Sequence, residues 1–136
     1  MGRILVPPIK CQGIKTKLVP LILANAEIPQ KGRWIEPFMG SGVVGLNARA
    51  QKALFADKNP HLVHFYADLA ASRITPEIVR DFLEKEGRLL EEGEKRYYEI
   101  RERFNREGNP LDFLFLSRAC LFCLRPASRN LKKRLR

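Results

Sequence analysis

The sequence predicts an α/β unit followed by an all-helical segment. Three observations predict it: a strand, helix, strand pattern between Arg33 and Asp57, closely spaced glycines at its first turn, and helical periodicity after Pro60. At 136 residues and 45% hydrophobic composition the chain has the size and apolar content of one ordinary domain.

Residues 1 to 14 hold Pro7-Pro8 in a mixed polar stretch and read as an extended arm. The arm leads into a helix from about Lys15 to Ala26, in which Leu18, Leu21 and Ile22 share an apolar face and Pro20 either kinks the helix or marks its true start. Pro29 and Gly32 break the chain, and Arg33 to Glu36 reads as a short strand stopped by Pro37. Val43 to Gln51 then reads as a helix and Ala53 to Ala56 as an apolar strand ending at Asp57. Pro60 suits the first turn of a helix running to about Ser72, with Leu62, Phe65, Tyr66 and Leu69 on one side. Thr75-Pro76-Glu77 pairs an N-cap residue with proline at the first helical position. A helix from there to Lys85, a charged stretch through about Arg106 and an apolar helix from Leu111 to about Leu124 complete the helical back. The expected organisation is an α/β part over residues 1–72, a helical part over 73–124 and a basic, disordered tail over 125–136.

The net charge of +10 favours a polyanionic partner. Six basic residues and no acid fall between Arg125 and Arg136, so residues 1–124 keep 19 basic against 15 acidic side chains and the last twelve residues carry more than half of the excess. The three cysteines are an odd number, and the start at Met1-Gly2-Arg3 lacks the apolar stretch of a signal peptide, so a reducing cytoplasm is the expected setting. The apolar run from Phe113 to Leu116, extended by Ala119 to Leu124, is far short of the about 18 residues that cross a bilayer, and no membrane partner is expected.

The strongest local signal runs from Trp34 to Gly45: an apolar strand ending in the acid Glu36, then Pro37, Phe38, Met39, Gly40, Ser41 and Gly42, then a helix. Glycines let the backbone turn tightly and approach a ligand where a Cβ would collide. Asp57 ends the next strand 21 residues after Glu36, on the same edge of the sheet, where a carboxylate can accept hydrogen bonds from both hydroxyls of a ribose. Together these describe a pocket for an adenosine-type ligand. Gly40, Gly42 and Gly45 also fit the dinucleotide pattern G-x-G-x-x-G, which keeps an NAD-binding Rossmann-like protein as an alternative. An acid at the strand end would repel a pyrophosphate but suits the cationic methionine end of S-adenosylmethionine, so the methyl donor is the favoured ligand.

With these motifs in order, the sequence resembles the Dam-like, D12 class of N6-adenine DNA methyltransferases. Members open with a segment like P-F-L-K-W-x-G-G-K, to which Pro8-Ile9-Lys10-Cys11-Gln12-Gly13-Ile14-Lys15 is similar. An I-E-P-F-x-G-x-G turn is matched by Ile35 to Gly42, and D-x-N-P by Asp57-Lys58-Asn59-Pro60. Y-Y-x-x-R-x-x-F-N is matched by Tyr97 to Asn105, and L-x-R-x-C by Leu116 to Cys120. The resemblance implies a partial Rossmann-like, S-adenosylmethionine-dependent methyltransferase fold over residues 1–72 and the start of a target-recognition region over 73–124. It implies that Lys10 and Lys15 contact or bracket the cofactor, that Glu36 and the turn from Phe38 to Gly42 hold its methionine part with Pro37, and that Asp57, in the segment with Asn59, binds the ribose. The arm departs from the pattern at Cys11, where an aromatic is usual, and at Ile14, where a glycine is usual, and both departures bear on cofactor affinity.

Methyl transfer to an adenine amino group needs the base flipped out of the duplex, held by acceptors and stacked on an aromatic. The family does this with a D-P-P-Y-type motif, and none occurs here: Asn59-Pro60-His61 and Asn109-Pro110-Leu111 lack the second proline and the aromatic. After L-x-R-x-C the family continues toward a DNA-contacting hairpin, whereas Leu121 to Pro126 gives way to the basic tail. The expectation is therefore a cofactor-binding fragment, inactive alone, produced by a frameshift, a premature stop or a split gene, with a second chain as a candidate source of the catalytic half. No catalytic residue is assigned. Its DNA contacts would be Arg118, Arg125, Arg129, Lys132, Lys133 and Arg134, on double-stranded DNA.

Blander readings compete at several positions. Cys120 and Cys123 are spaced C-x-x-C, and His61 and His64 are spaced H-x-x-H, but both pairs lie in apolar helical context and packing accounts for them better than zinc. The stretch from Glu84 to Arg106 reads as a solvated helix face, with Tyr97 and Tyr98 as core or groove packing. A small basic protein that binds DNA non-specifically through its tail is a further alternative function.

Overall fold

Among the described residues, an extended arm, a 3-10 turn with a short helix, and a strand, helix, strand unit come first, and four helices follow. The computed structural model describes residues 3–11, 13–28, 31–91 and 93–119. They fall into two units, Met1–Pro60 and His61–Arg136. Among the described residues the architecture is mostly helical with a two-stranded parallel sheet, in keeping with an α/β front.

In the first unit a single 3-10 turn, Thr16–Leu18, leads into α1, Val19–Asn25. Pro20 lies in the first turn of α1, where its missing N–H forfeits no helical hydrogen bond, so it starts the helix rather than kinking it. A start at Val19 turns that residue inward and fully buries it. Leu18 and Leu21 are 45% and 63% exposed and Ile22 is half-buried, so these apolar side chains stay largely open.

Strand β1, Trp34–Glu36, pairs in parallel with β2, Ala53–Phe55, with Trp34 opposite Ala53 and Glu36 opposite Phe55. A parallel pair needs a crossover connection, and α2, Val43–Ala48, supplies it. It stops at Ala48 rather than at the expected Gln51 because Arg49 turns left-handed at φ 52°. At Gly45 an added Cβ would lie 2.2 Å from Phe55 Cε1 and 3.0 Å from Glu36 Oε1, so only glycine lets α2 approach the strands this closely. Ile35 and Leu54 are 60% and 44% exposed, and most of the exposed large apolar side chains among the described residues belong to residues 1–60. Parallel sheets are ordinarily covered on both faces, so this sheet presents apolar surface for something to cover.

The second unit holds α3, Pro60–Ala70, α4, Pro76–Glu91, α5, Lys95–Glu107, and α6, Pro110–Arg118. Leu62 and Phe65 are buried and Tyr66 and Leu69 half-buried, the side of α3 that periodicity predicts. Asn109 caps α6 by accepting the Leu111 N–H at 2.8 Å, and Gly108, at φ 65°, ends α5. Helices α4, α5 and α6 pack on one another around Leu83, Leu90, Tyr97, Ile100, Leu114 and Phe115. Tyr98 lies outside this core, 39% exposed, with the Arg101 guanidinium 5.3 Å above its ring. His61 packs edge-on against Phe104 at 4.6 Å, while His64 is exposed. Cys120 and Cys123 lie outside the described residues.

Charges run through this helical core. Leu83, Glu86 and Leu90 share one buried stripe of α4, which brings the Glu86 carboxylate inside at 3% side-chain exposure. Arg96 grips it with two bonds, Nε to Oε2 at 2.7 Å and Nη2 to Oε1 at 2.9 Å. Arg103 approaches the same Oε1 at 3.6 Å and donates twice to Asp112, whose side chain is fully buried in the first turn of α6. Paired carboxylates hold both arginines above the usual guanidinium range, the first through Glu86 and the second through Asp112. The solvated face expected over Glu84 to Arg106 is thus corrected: Glu86, Arg96 and Arg103 are pairing groups of the core, a role that interspersed charges do not advertise.

Breaking a buried pair from one side leaves an uncompensated charge. Arg103→Met should therefore lower the unfolding free energy by about 3 kcal/mol in urea titration. Asn109→Ala, which removes only a cap, should cost about 1 kcal/mol in the same measurement.

Candidate functional site

Hydrogen bonding between the ends of β1 and β2 continues past the strands and builds the glycine turn. The Ala56 N–H donates to Glu36 O at 2.8 Å, and the Met39 N–H donates back to Ala56 O at 2.9 Å. Asp57 then takes over with its side chain: Oδ2 accepts the Gly40 N–H and Oδ1 accepts the Asn59 N–H, each at 3.0 Å. The turn closes where Gly42 donates to Met39 O at 2.8 Å, and Gly42 enters α2 at φ 73°, a conformation that a side chain would strain.

This turn forms one wall of a cavity of about 290 Å³. Glu36, Phe38, Met39, Gly40 and Ser41 come from the strand end and turn, Val43 and Val44 from α2, and Cys11, Gly13, Ile14 and Lys15 from the arm. The volume is near the lower end of the range for small-molecule sites, about 300 Å³. The arm is fixed against α2 by Asn47, whose Oδ1 accepts the Leu5 N–H at 2.8 Å while its Nδ2 donates to Leu5 O at 2.9 Å and Val43 O at 2.7 Å. Sequence patterns do not single out Asn47. The one local signal is a polar residue of low helix propensity inside a short helix.

The candidate residues separate into those on the cavity and those beside it. Lys15, Glu36, Phe38, Gly40 and Ser41 line it. Asp57 adjoins through Gly40, and Asn59 is exposed with its N–H on Asp57. Pro37 and Lys10 are exposed and Gly42 is buried, none of them on the lining. Phe38 is 87% exposed, a large aromatic face open at the cavity. The Lys15 ammonium folds back to donate to Gly13 O at 2.7 Å. Half-buried Glu36 has one oxygen, Oε1, 3.0 Å from the indole nitrogen of Trp34, which donates to it. Trp34, unremarkable in the sequence beyond its place in the strand, thus reaches the cavity through Glu36.

Cys11 and Ile14, the two departures from the arm pattern, both line the cavity. Burial pushes the Cys11 thiol above its ordinary range, and the nearby Asp57 carboxylate adds to the rise. Among the candidate DNA contacts, Arg118 ends α6 half-buried, and burial lowers its guanidinium below the usual range. Arg125, Arg129, Lys132, Lys133 and Arg134 lie outside the described residues. Among the described residues no group of three His, Cys, Asp or Glu is placed to hold a metal ion, and no helix is long and apolar enough to cross a membrane.

A family model, the D12 class N6 adenine-specific DNA methyltransferases, matches residues 12–131. The chain is 35% identical over 103 residues to the DNA N-6-adenine-methyltransferase of Escherichia phage P1, covering 68% of this chain and 12% of that relative. It is 33% identical over 116 residues to the DNA adenine methylase of Vibrio cholerae serotype O1, in each of two strains, covering 81% of this chain and 39% of the relative. The chain therefore spans well under half the length of these curated relatives. No solved structure matches it.

The thiolate is the reactive form of cysteine, so a raised pKa lowers its fraction at any given pH. With Cys120 and Cys123 replaced by serine, alkylation of Cys11 by iodoacetamide should be slower than that of free cysteine at pH 8. Its rate should keep rising at pH values where the free amino acid has levelled off.

Proposed function

This chain belongs to the D12 class of N6 adenine-specific DNA methyltransferases, and from that premise we propose that its α/β unit is a partial Rossmann-like fold that binds S-adenosylmethionine. The observation that carries the reading is the meeting of Lys15, Glu36, Phe38, Gly40 and Ser41 on one cavity, with Asp57 directly behind the turn. Glu36 meets the ammonium of the methionine end, and Phe38 to Gly42, following Pro37, cradles that end. Each Asp57 oxygen already holds a backbone N–H, and a carboxylate has further lone pairs for the two ribose hydroxyls. Asn59 fixes the Asp57 side chain by its N–H, and Lys10 and Lys15 bracket the cofactor from the arm. The cofactor supplies an electrophilic methyl group. The chain's contribution is to bind and orient it.

Transfer to a flipped adenine requires acceptors and an aromatic platform, and the 136 residues contain no D-P-P-Y-type motif. Methyl transfer therefore needs a catalytic half from outside these residues, supplied by further polypeptide or a second chain, and these residues alone are inactive. The nucleic-acid partner is double-stranded DNA, approached by Arg118 and by Arg125, Arg129, Lys132, Lys133 and Arg134, and the setting is the cytoplasm. A second reading, a small basic protein binding DNA non-specifically, is favoured by one observation, the six basic residues in the last twelve.

Isothermal titration should show S-adenosylmethionine binding to the wild-type chain, and Glu36→Gln should weaken it at least tenfold, the effect of about 1.5 kcal/mol for one charge-assisted hydrogen bond. No heat at millimolar cofactor would sink the pocket. In gel shifts, removal of residues 125–136 should flatten the log–log salt dependence of DNA affinity by about five, the effect of six lost phosphate contacts. Tail-dependent DNA binding by a chain that takes up no cofactor would favour the second reading.

A further inference from the structure

We propose that Trp34 is the positioning residue for Glu36, and that by holding the carboxylate it sets how strongly the cavity prefers ligands carrying a primary ammonium. Residues two apart on a strand share a face, which places the Trp34 indole beside the Glu36 side chain on β1. The indole N–H is a donor without acceptor capacity, and it lies 3.0 Å from Glu36 Oε1 in a part-buried setting. On another side of the same oxygen is Gly45, where a Cβ would stand only 3.0 Å away. Glycine makes room for Oε1 and tryptophan latches it, which leaves Oε2 to meet a ligand.

Among the described residues the charge on Glu36 has no paired counterion. The Lys15 ammonium on the same cavity donates to Gly13 O instead. A half-buried carboxylate that, among the described residues, has one neutral donor and no paired cation attracts a cationic ligand. A glutamate free to rotate would lose side-chain entropy on binding, and the indole bond removes part of that loss beforehand. Trp34 therefore acts on the amino-acid end of the ligand and leaves the adenosine end alone, in a cavity that rests on the S-adenosylmethionine reading above.

Titration calorimetry on the wild-type chain and on Trp34→Phe, which keeps an aromatic ring and removes the N–H, tests this with two ligands. S-Adenosylmethionine carries the ammonium, whereas 5′-methylthioadenosine keeps the adenosine and the sulfur and lacks the amino-acid end. The expected result is an about tenfold loss of affinity for the first and no measurable change for the second. Unchanged binding of both ligands by Trp34→Phe, or equal losses for both, overturns the proposal and leaves the cofactor reading standing. A wild-type chain that binds neither ligand overturns the cofactor reading and the proposal with it. Trp34 is the only tryptophan in the chain, so its indole gives one cross-peak in a nitrogen–proton correlation spectrum. That peak should move upfield in Glu36→Gln, and an unmoved peak rejects the Trp34–Glu36 bond even where Trp34→Phe fails to fold.

Discussion

The carboxylate of Asp57 accepts one backbone N–H from each of two loops, Gly40 after β1 and Asn59 after β2. Both strands are only three residues long, too short for their ladder alone to place the loops beyond them. An ionised side chain bonded to two amides does so instead, because charge-assisted hydrogen bonds are roughly twice as strong as neutral ones. The glycine turn, the opening of α2 and one wall of the cavity all descend from that tie. The same geometry gives Asp57 a structural role, holding the turn after each strand.

How much of the molecule is legible in its sequence depends on the range over which each interaction acts. The strand, turn and helix around Glu36 to Gly45 are local, and turn residues, helix starts and apolar runs report them directly. The lining by Glu36 and by Phe38 to Ser41 is legible for the same reason. Asn47 and Leu5 lie 42 residues apart, and no spacing rule links an asparagine inside a helix to the backbone of an arm. Arg103 and Asp112 sit on neighbouring helices, and a pattern of mixed charge looks alike whether it faces water or a buried partner. The exposure of Leu21 depends on whether Pro20 kinks a helix or begins one, a choice of start that rotates every side chain after it.

Each unit answers the problem of its interior differently. The helical unit encloses Glu86 and Asp112, and a mis-packed core would strand their charges. Here they restrict how α4, α5 and α6 meet. The α/β unit has little buried polarity and instead leaves Ile35, Leu54 and Phe38 open to solvent. Phe38 is the most exposed of these, and it is also the one on the cavity.

The arm bears on the thermodynamics of occupancy. Ile9 and Val19 are both essentially fully buried, and the cavity-lining residues Cys11, Gly13, Ile14 and Lys15 lie on the span between them. The ends of that span are anchored by folding, so its closure entropy is spent before any ligand arrives. A ligand meets lining residues whose flanks are already in place, which keeps the conformational cost of filling the cavity small.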